Sequence, residues 1–139
     1  TDYFSGHDPA LESVLAGVDL LPLPALGMRA GGDAARIALA ARTRKWSSIP
    51  WWKPFSESDM NAAGYVALRN GKPGEAVILF QMNADQYPRS WNTWDSLGEA
   101  QRAAGLTSAS ILSYQKALLL YPGDEDAVRA IQEMTKAGQ

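Results

Sequence analysis

Ala76, Val77, Leu79 and Phe80, and then Ile111, Leu112, Tyr114, Ala117 and Leu118, recur at three- and four-residue spacing, the period of a helix with one buried face. Turn signals bracket these stretches. Asn70-Gly71-Lys72-Pro73-Gly74 and Ala104-Gly105-Leu106-Thr107 supply helix stops and new starts, with Thr107 as an expected N-cap. Tyr87-Pro88 and Tyr121-Pro122 end the stretches, because proline disfavours helical geometry in the residue before it. The pattern predicts helices over Ser58–Asn70, Gly74–Gln86, Asn92–Ala104 and Ser108–Leu120. A further helix is predicted from Asp124, Glu125 and Asp126 to Lys136, its charges matched to the helix dipole and its stripe formed by Val128, Ile131 and Met134.

The pattern repeats. Gly64 and Gly98, Gly71 and Gly105, Phe80 and Tyr114, and Pro88 and Pro122 are each 34 residues apart, in one register without insertion. A fixed period of this length marks a helix-turn-helix unit that buries its core by stacking on neighbours.

These residues resemble the tetratricopeptide repeat. In the second unit Trp94, Leu97, Gly98, Tyr114, Ala117 and Pro122 hold pattern positions, with Gln101 in place of the tyrosine and Ser110 of an alanine. The first unit keeps Gly64, Ala76, Phe80 and Pro88, with Met60 for the tryptophan and Asn83 for the second alanine. The resemblance implies an all-α fold: units over 57–90 and 91–124, a capping helix over 124–137, and a helical extension or degenerate first repeat over 1–56. In that extension Asp8 and Pro9 open a short helix to about Gly17, Leu20–Leu26 reads as extended linker, and Asp33–Trp46 as a helix packing through Ile37, Leu39 and Ala40. Trp46, Trp51 and Trp52 are expected to glue this extension to the repeats, Trp94 to lie in the core and Trp91 to cover the turn. Asn83, at a buried position, is expected to bond a nearby loop backbone.

Composition bounds the chemistry. The 139 residues carry 13 basic and 15 acidic side chains, which supplies no global positive field for nucleic acid, and no apolar run approaches a membrane span. Residues 1–56 hold six bases against five acids and 57–139 seven against ten. With no cysteine and the single His7, thiolate and histidine chemistry are poorly supplied, and no cofactor or metal site is expected. Ser5, His7 and Asp8 are sequence neighbours and cannot assemble a triad, and Gly71-Lys72 lacks the remainder of a phosphate loop. Neither a G-x-S-x-G elbow nor an H-E-x-x-H run occurs, so the chain itself is expected to be no enzyme.

Stacked units leave their first helices lining a concave surface. In this register Asn61, Tyr65, Leu68 and Arg69 face it from the first unit, and Asn92, Asp95, Ser96, Glu99 and Arg102 from the second. Such a surface can hydrogen-bond an extended peptide. Asn61 and Tyr65 depart from the lysine and asparagine clamp of chaperone-binding members of the family.

A second resemblance concerns context. Asn61-x-x-Gly64-Tyr65, Phe80-x-x-Asn83 and the run Tyr87-Pro88-x-Ser90-x-Asn92-x-x-Asp95-Ser96-Leu97-Gly98-Glu99-Ala100 resemble the subtype appended to bacterial serine hydrolases, including β-lactamase-like enzymes, esterases and tail-specific peptidases. The run from Asp2 to Glu12 is similar to the last strand and helix of a tail-specific peptidase domain, and the start at Thr1 reads as internal. This implies a non-catalytic appendage, cytoplasmic or periplasmic in a bacterium, contacting an attached catalytic domain. The alternative is a free-standing adaptor for a partner protein or peptide, as a monomer or weak homodimer; a small autonomous hydrolase is a third reading.

Overall fold

A computed structural model describes residues 21–139. The expected Asp8–Gly17 helix, the Ser5, His7 and Asp8 group and the Asp2–Glu12 resemblance lie outside the described residues. Among the described residues every regular element is a helix: α1 Leu23–Ala30, α2 Gly32–Trp46, α3 Glu57–Arg69, α4 Pro73–Gln86, α5 Trp91–Ala103, α6 Thr107–Leu120 and α7 Glu125–Ala137. This is the all-α arrangement of tetratricopeptide-type repeats, with α3/α4 and α5/α6 as the two helical hairpins and α7 packed on α6. None of these helices is long and apolar enough to cross a membrane.

The hairpin turns are alike because their chemistry is. Gly71 and Gly105 adopt φ of 69° and 77°, left-handed values that cost glycine nothing. Lys72 N then reaches Ala67 O at 2.9 Å and Leu106 N reaches Gln101 O at 2.8 Å, closing α3 and α5 with the same terminal bond. The entries differ. Ser56 caps α3 by accepting from Asp59 N at 3.2 Å, whereas α6 has no side-chain cap: Leu106 occupies the N-cap position and Thr107 is already helical. The expected Thr107 cap is corrected accordingly.

The amino-terminal part also corrects expectation. Leu20–Leu26 is not extended from Leu23 onward, since α1 begins there and Pro24 sits in its first turn, where a missing N–H costs no bond. Gly31, with φ of 93°, breaks α1 from α2. Glu75 of α4 accepts from Gly32 N at the α2 start, tying the extension to the first hairpin. Leu23 and Leu26 of α1 and Ala35 and Ala38 of α2 enter the same core as Met60, Ala63, Leu79, Phe80 and Leu97. Leu39 packs against that core, but Ile37 and Ala40 face outward.

Of the three tryptophans near the junction, Trp46 and Trp51 do not act as glue, and Trp52 is half-buried. Trp51 is 83% exposed and Trp46 projects outward with Lys45 Nζ 5.0 Å from its ring; Phe55 takes the buried place instead. Phe55 meets Tyr87 edge-on, and the Tyr87 hydroxyl donates to Phe55 O at 2.5 Å. Trp94 packs partly buried against the core, its Nε1 donating to Pro88 O at 2.9 Å and Lys116 Nζ lying 4.1 Å from its ring. Trp91 stacks on Tyr121 with centroids 5.0 Å apart.

Departures from the repeat pattern find local hydrogen-bond partners, except that the Oδ1 of Asn83 has none. Ser110 donates to Gly98 O at 2.7 Å and Ser113 donates to Gln101 Oε1 at 2.6 Å, so two buried polar substitutions find partners. Asn83 Nδ2 donates to Glu57 O at 3.0 Å, a backbone acceptor in the first turn of α3 rather than in a loop. A second, smaller cluster joins Tyr114 to Ala127, Ala130 and Met134 of α7. Its buried stripe therefore runs through Ala127 and Ala130, and Val128, expected within it, is exposed.

Candidate interaction groove

Two of the predicted surface residues on α3 and two on α5 meet in one network. Tyr65 OH donates to Glu99 Oε2 at 2.8 Å and lies 3.3 Å from Ser96 Oγ, while Ser96 Oγ donates to Asn61 Oδ1 at 3.0 Å. Arg102, from the same face of α5, donates to Glu133 of α7 at 2.7 Å. These side chains come together because Gly64 and Gly98 let α3 and α5 lie close to the aromatic rings of α4 and α6, which fixes both first helices side by side.

A cavity of about 520 Å³ opens beside this network, lined by Tyr65, Asp95, Glu99, Arg102, Tyr114, Asp126, Arg129, Ala130 and Glu133. Tyr65, Asp95, Glu99 and Arg102 among the predicted residues line it. Asn61 and buried Ser96 stand behind Tyr65, bonded to each other. Leu68 packs against the core rather than presenting a free face, Arg69 is exposed at the end of α3, and Asn92 is half-buried in the first turn of α5. None of these last three lines the cavity.

The third wall was missed by sequence reasoning. Asp126, Arg129 and Glu133 project from α7, spaced three and four apart around Ala130, which is a polar helical stripe legible in the sequence beside the apolar one.

Negative charge concentrates here. Burial pushes the Asp95 carboxyl up to about 7, reinforced by Asp124, Glu99 and Asp126. Asp124 is 8% exposed; its Oδ1 caps α7 by accepting from Ala127 N at 3.1 Å, and its Oδ2 has no hydrogen-bond partner. The neighbouring Asp124 carboxylate thus favours the protonated form of Asp95. Burial also raises Tyr65 to about 12, with its Glu99 bond adding to the rise, and raises Tyr114 further. Among the described residues no three histidine or carboxylate side chains are placed to hold a metal ion.

No family model matches the chain. It is similar to the human protein called tetratricopeptide repeat protein 33, at 35% identity over 103 residues, covering 69% of this chain and 39% of the human protein. The mouse protein of the same name is 28% identical over 103 residues, with the same shares covered. The chain thus spans about two fifths, 39%, of the length of the curated relatives it matches. The 34-residue register, the helical hairpins and the likeness to these two proteins together support a tetratricopeptide repeat family for this chain.

Proposed function

We propose that the chain is a non-catalytic protein-interaction module that holds an extended segment of a partner in the groove walled by α3, α5 and α7. The observation that carries this reading is the cavity beside the Tyr65, Ser96 and Glu99 network: three helices converge there, and side chains with open hydrogen-bonding capacity line the space. Binding there needs no rearrangement of the core, because the groove walls are already positioned by the hairpin packing. The names of the two relatives, tetratricopeptide repeat proteins, are consistent with an interaction module.

The test is a photo-crosslinking amino acid placed at Tyr65 and, as a control, at Leu112 on the exposed side of α6. A discrete partner crosslinked from position 65 and not from 112 is the expected result. Equal crosslinking from both positions, or none from 65, would remove the groove from the function.

The module serves equally as the appendage of a larger protein or as a free adaptor. The bacterial hydrolase context rests on the Asn61–Ala100 and Asp2–Glu12 resemblances, while the relatives are human and mouse proteins. The intact mass of the native polypeptide decides between the two. A mass far above 15 kDa, with a serine-hydrolase segment in the same chain, is the outcome the appendage reading requires.

A further inference from the structure

Residues 21–56 carry six basic side chains against Asp33 alone, whereas 57–139 carry seven against ten acids. The positive charge is thus confined to α1, α2 and the turns that follow them. Because α1 packs on α3 and α2 on α4, these residues form the outer layer at one end of the helical stack. Within that layer the stretch from Arg44 to Lys53 holds three cations, three tryptophans and no acid.

The stretch projects more than it packs. Beyond α2, bonds from Ile49 N to Trp46 O at 2.9 Å and from Trp52 N to Ile49 O at 3.1 Å form two successive turns. They leave Trp51 83% exposed and Trp52 half-buried, while Trp46 and Ile37 of α2 are also exposed. A ring as open as Trp51 stands clear of the surface and lines no cleft. Arg44, Lys45 and Lys53 are exposed in the same stretch, with Lys45 Nζ against the Trp46 ring.

We propose that the Arg44–Lys53 stretch is a docking surface for an anionic phospholipid bilayer, with its cations on the lipid headgroups and the Trp51 indole in the headgroup layer.

Three observations select this occupant. The first is charge complementarity, since a one-sided basic cluster is drawn to a negative leaflet. The acids of α5 and α7 sit in layers behind α3 and α4, and packed helices lie about 8–10 Å apart. That spacing matches the screening length of about 8 Å at physiological salt, so those acids do not cancel the field at the α2 end. Second, an indole with an apolar body and a polar N–H settles at a bilayer interface. The exposed Ile37 has a place at an acyl boundary and none against a phosphodiester backbone, which favours a bilayer over nucleic acid. Third, a projecting ring suits a flat, deformable surface, whereas an extended peptide needs a groove. The groove described above is walled by α3, α5 and α7, so this surface stands independently of it.

The experiment is sedimentation of the whole chain with vesicles of phosphatidylcholine alone, or with about one third phosphatidylserine, at about 0.1 M salt. A basic side chain near an anionic leaflet strengthens binding about fivefold, so phosphatidylserine is expected to raise partitioning about a hundredfold through three cations. Raising the salt to about 0.5 M is expected to remove most of that gain. The combined change Arg44→Gln, Lys45→Gln and Lys53→Gln is expected to abolish the preference for phosphatidylserine while the helical circular dichroism is retained. Brominated acyl chains are expected to quench the tryptophan emission of the parent and to quench Trp51→Ala less. Equal partitioning onto both vesicles, or phosphatidylserine binding undiminished by the triple change, would overturn the proposal. Equal quenching of parent and Trp51→Ala would overturn the placing of the indole in the headgroup layer. An oligothymidylate bound more tightly than the vesicles at equal phosphate concentration would assign the surface to nucleic acid instead.

Discussion

Gly64 and Phe80 meet so closely that a Cβ on the glycine would lie 2.4 Å from Cε1 and 2.5 Å from Cζ of the ring. One repeat later Gly98 and Tyr114 stand in the same relationship at 3.0 Å. The two contacts differ in what the ring can do. Phe80 is fully buried, with Tyr65 edge-on to it at 5.1 Å, whereas Tyr114 borders the cavity and has room to give. Gly64→Ala is expected to lose about 1–3 kcal/mol to overpacking, offset in part by about 1 kcal/mol of helix propensity. Gly98→Ala is expected to stay within about 1 kcal/mol of the parent. Urea midpoints at constant slope make the comparison, and equal damage from the two substitutions would contradict it.

That duplicated contact also explains what was legible beforehand. Glycine and ring at matching positions set the four repeat helices, which differ from the predicted ones only at their ends. The α1 helix was hidden because Pro22 and Pro24 read as linker, although proline fits the first turn of a helix as well as it fits a loop. In α7 the larger Val128 drew the predicted stripe toward itself, but the helix approaches Tyr114 through Ala127 and Ala130, whose small side chains permit the shorter distance. The wall supplied by Asp126, Arg129 and Glu133 went unread for a related reason: one helix both covers the last hairpin and faces the cavity, and a single apolar stripe reports only the first. Trp51 shows the limit from the other side, since an aromatic's size predicts burial while its place in the 47–54 turns leaves it in solvent.

Asn83 carries the next expectation. Its Nδ2 serves Glu57 O while its Oδ1 has no partner, in a fully buried site. Asn83→Asp removes the donor and sets a carboxylate against a carbonyl, a loss of about 3 kcal/mol at pH 7. A protonated aspartate restores the donor, so the folded-state pKa of the new side chain is raised above its unfolded value. Its contribution is then fully present below the unfolded pKa and lost as pH rises through the folded one. Melting temperatures of variant and parent are expected to converge at pH 4.5 and separate at pH 7.5; a constant gap would show that the Glu57 bond is not what the amide provides.

The tryptophans separate cleanly by environment. Trp51→Ala removes an exposed ring and is expected to change stability by less than about 0.5 kcal/mol. Trp94→Ala removes the bond to Pro88 O, the contact with Lys116 and packing against the core, for a loss of about 3 kcal/mol. Thermal denaturation of both variants checks the pair, and comparable losses would place Trp51 in a contact the fold does not provide.

Asp95 makes the stability of the carboxyl-terminal cap depend on pH. Its folded-state pKa, pushed up to about 7 by burial and by Asp124, Glu99 and Asp126, stands above the ordinary carboxyl value near 4. The folded state therefore holds the proton more tightly than the unfolded chain, and this contribution declines from about pH 4 to pH 7 before levelling off. The physical event is ionisation of a partly buried carboxyl on α5 beside the carboxylates of Asp124, Glu99 and Asp126. Asp95→Asn keeps a permanent donor toward Asp124 and cannot ionise. The melting temperature of the variant relative to the parent is expected to be nearly unchanged at pH 5 and clearly higher at pH 8. Asp124→Asn provides the reciprocal check, because it retains the cap on Ala127 N, supplies a donor to Asp95 and removes the repulsion from the other side. Melting curves of parent and both variants that run parallel from pH 5 to pH 8 would show that Asp95 does not ionise within this range in the folded state.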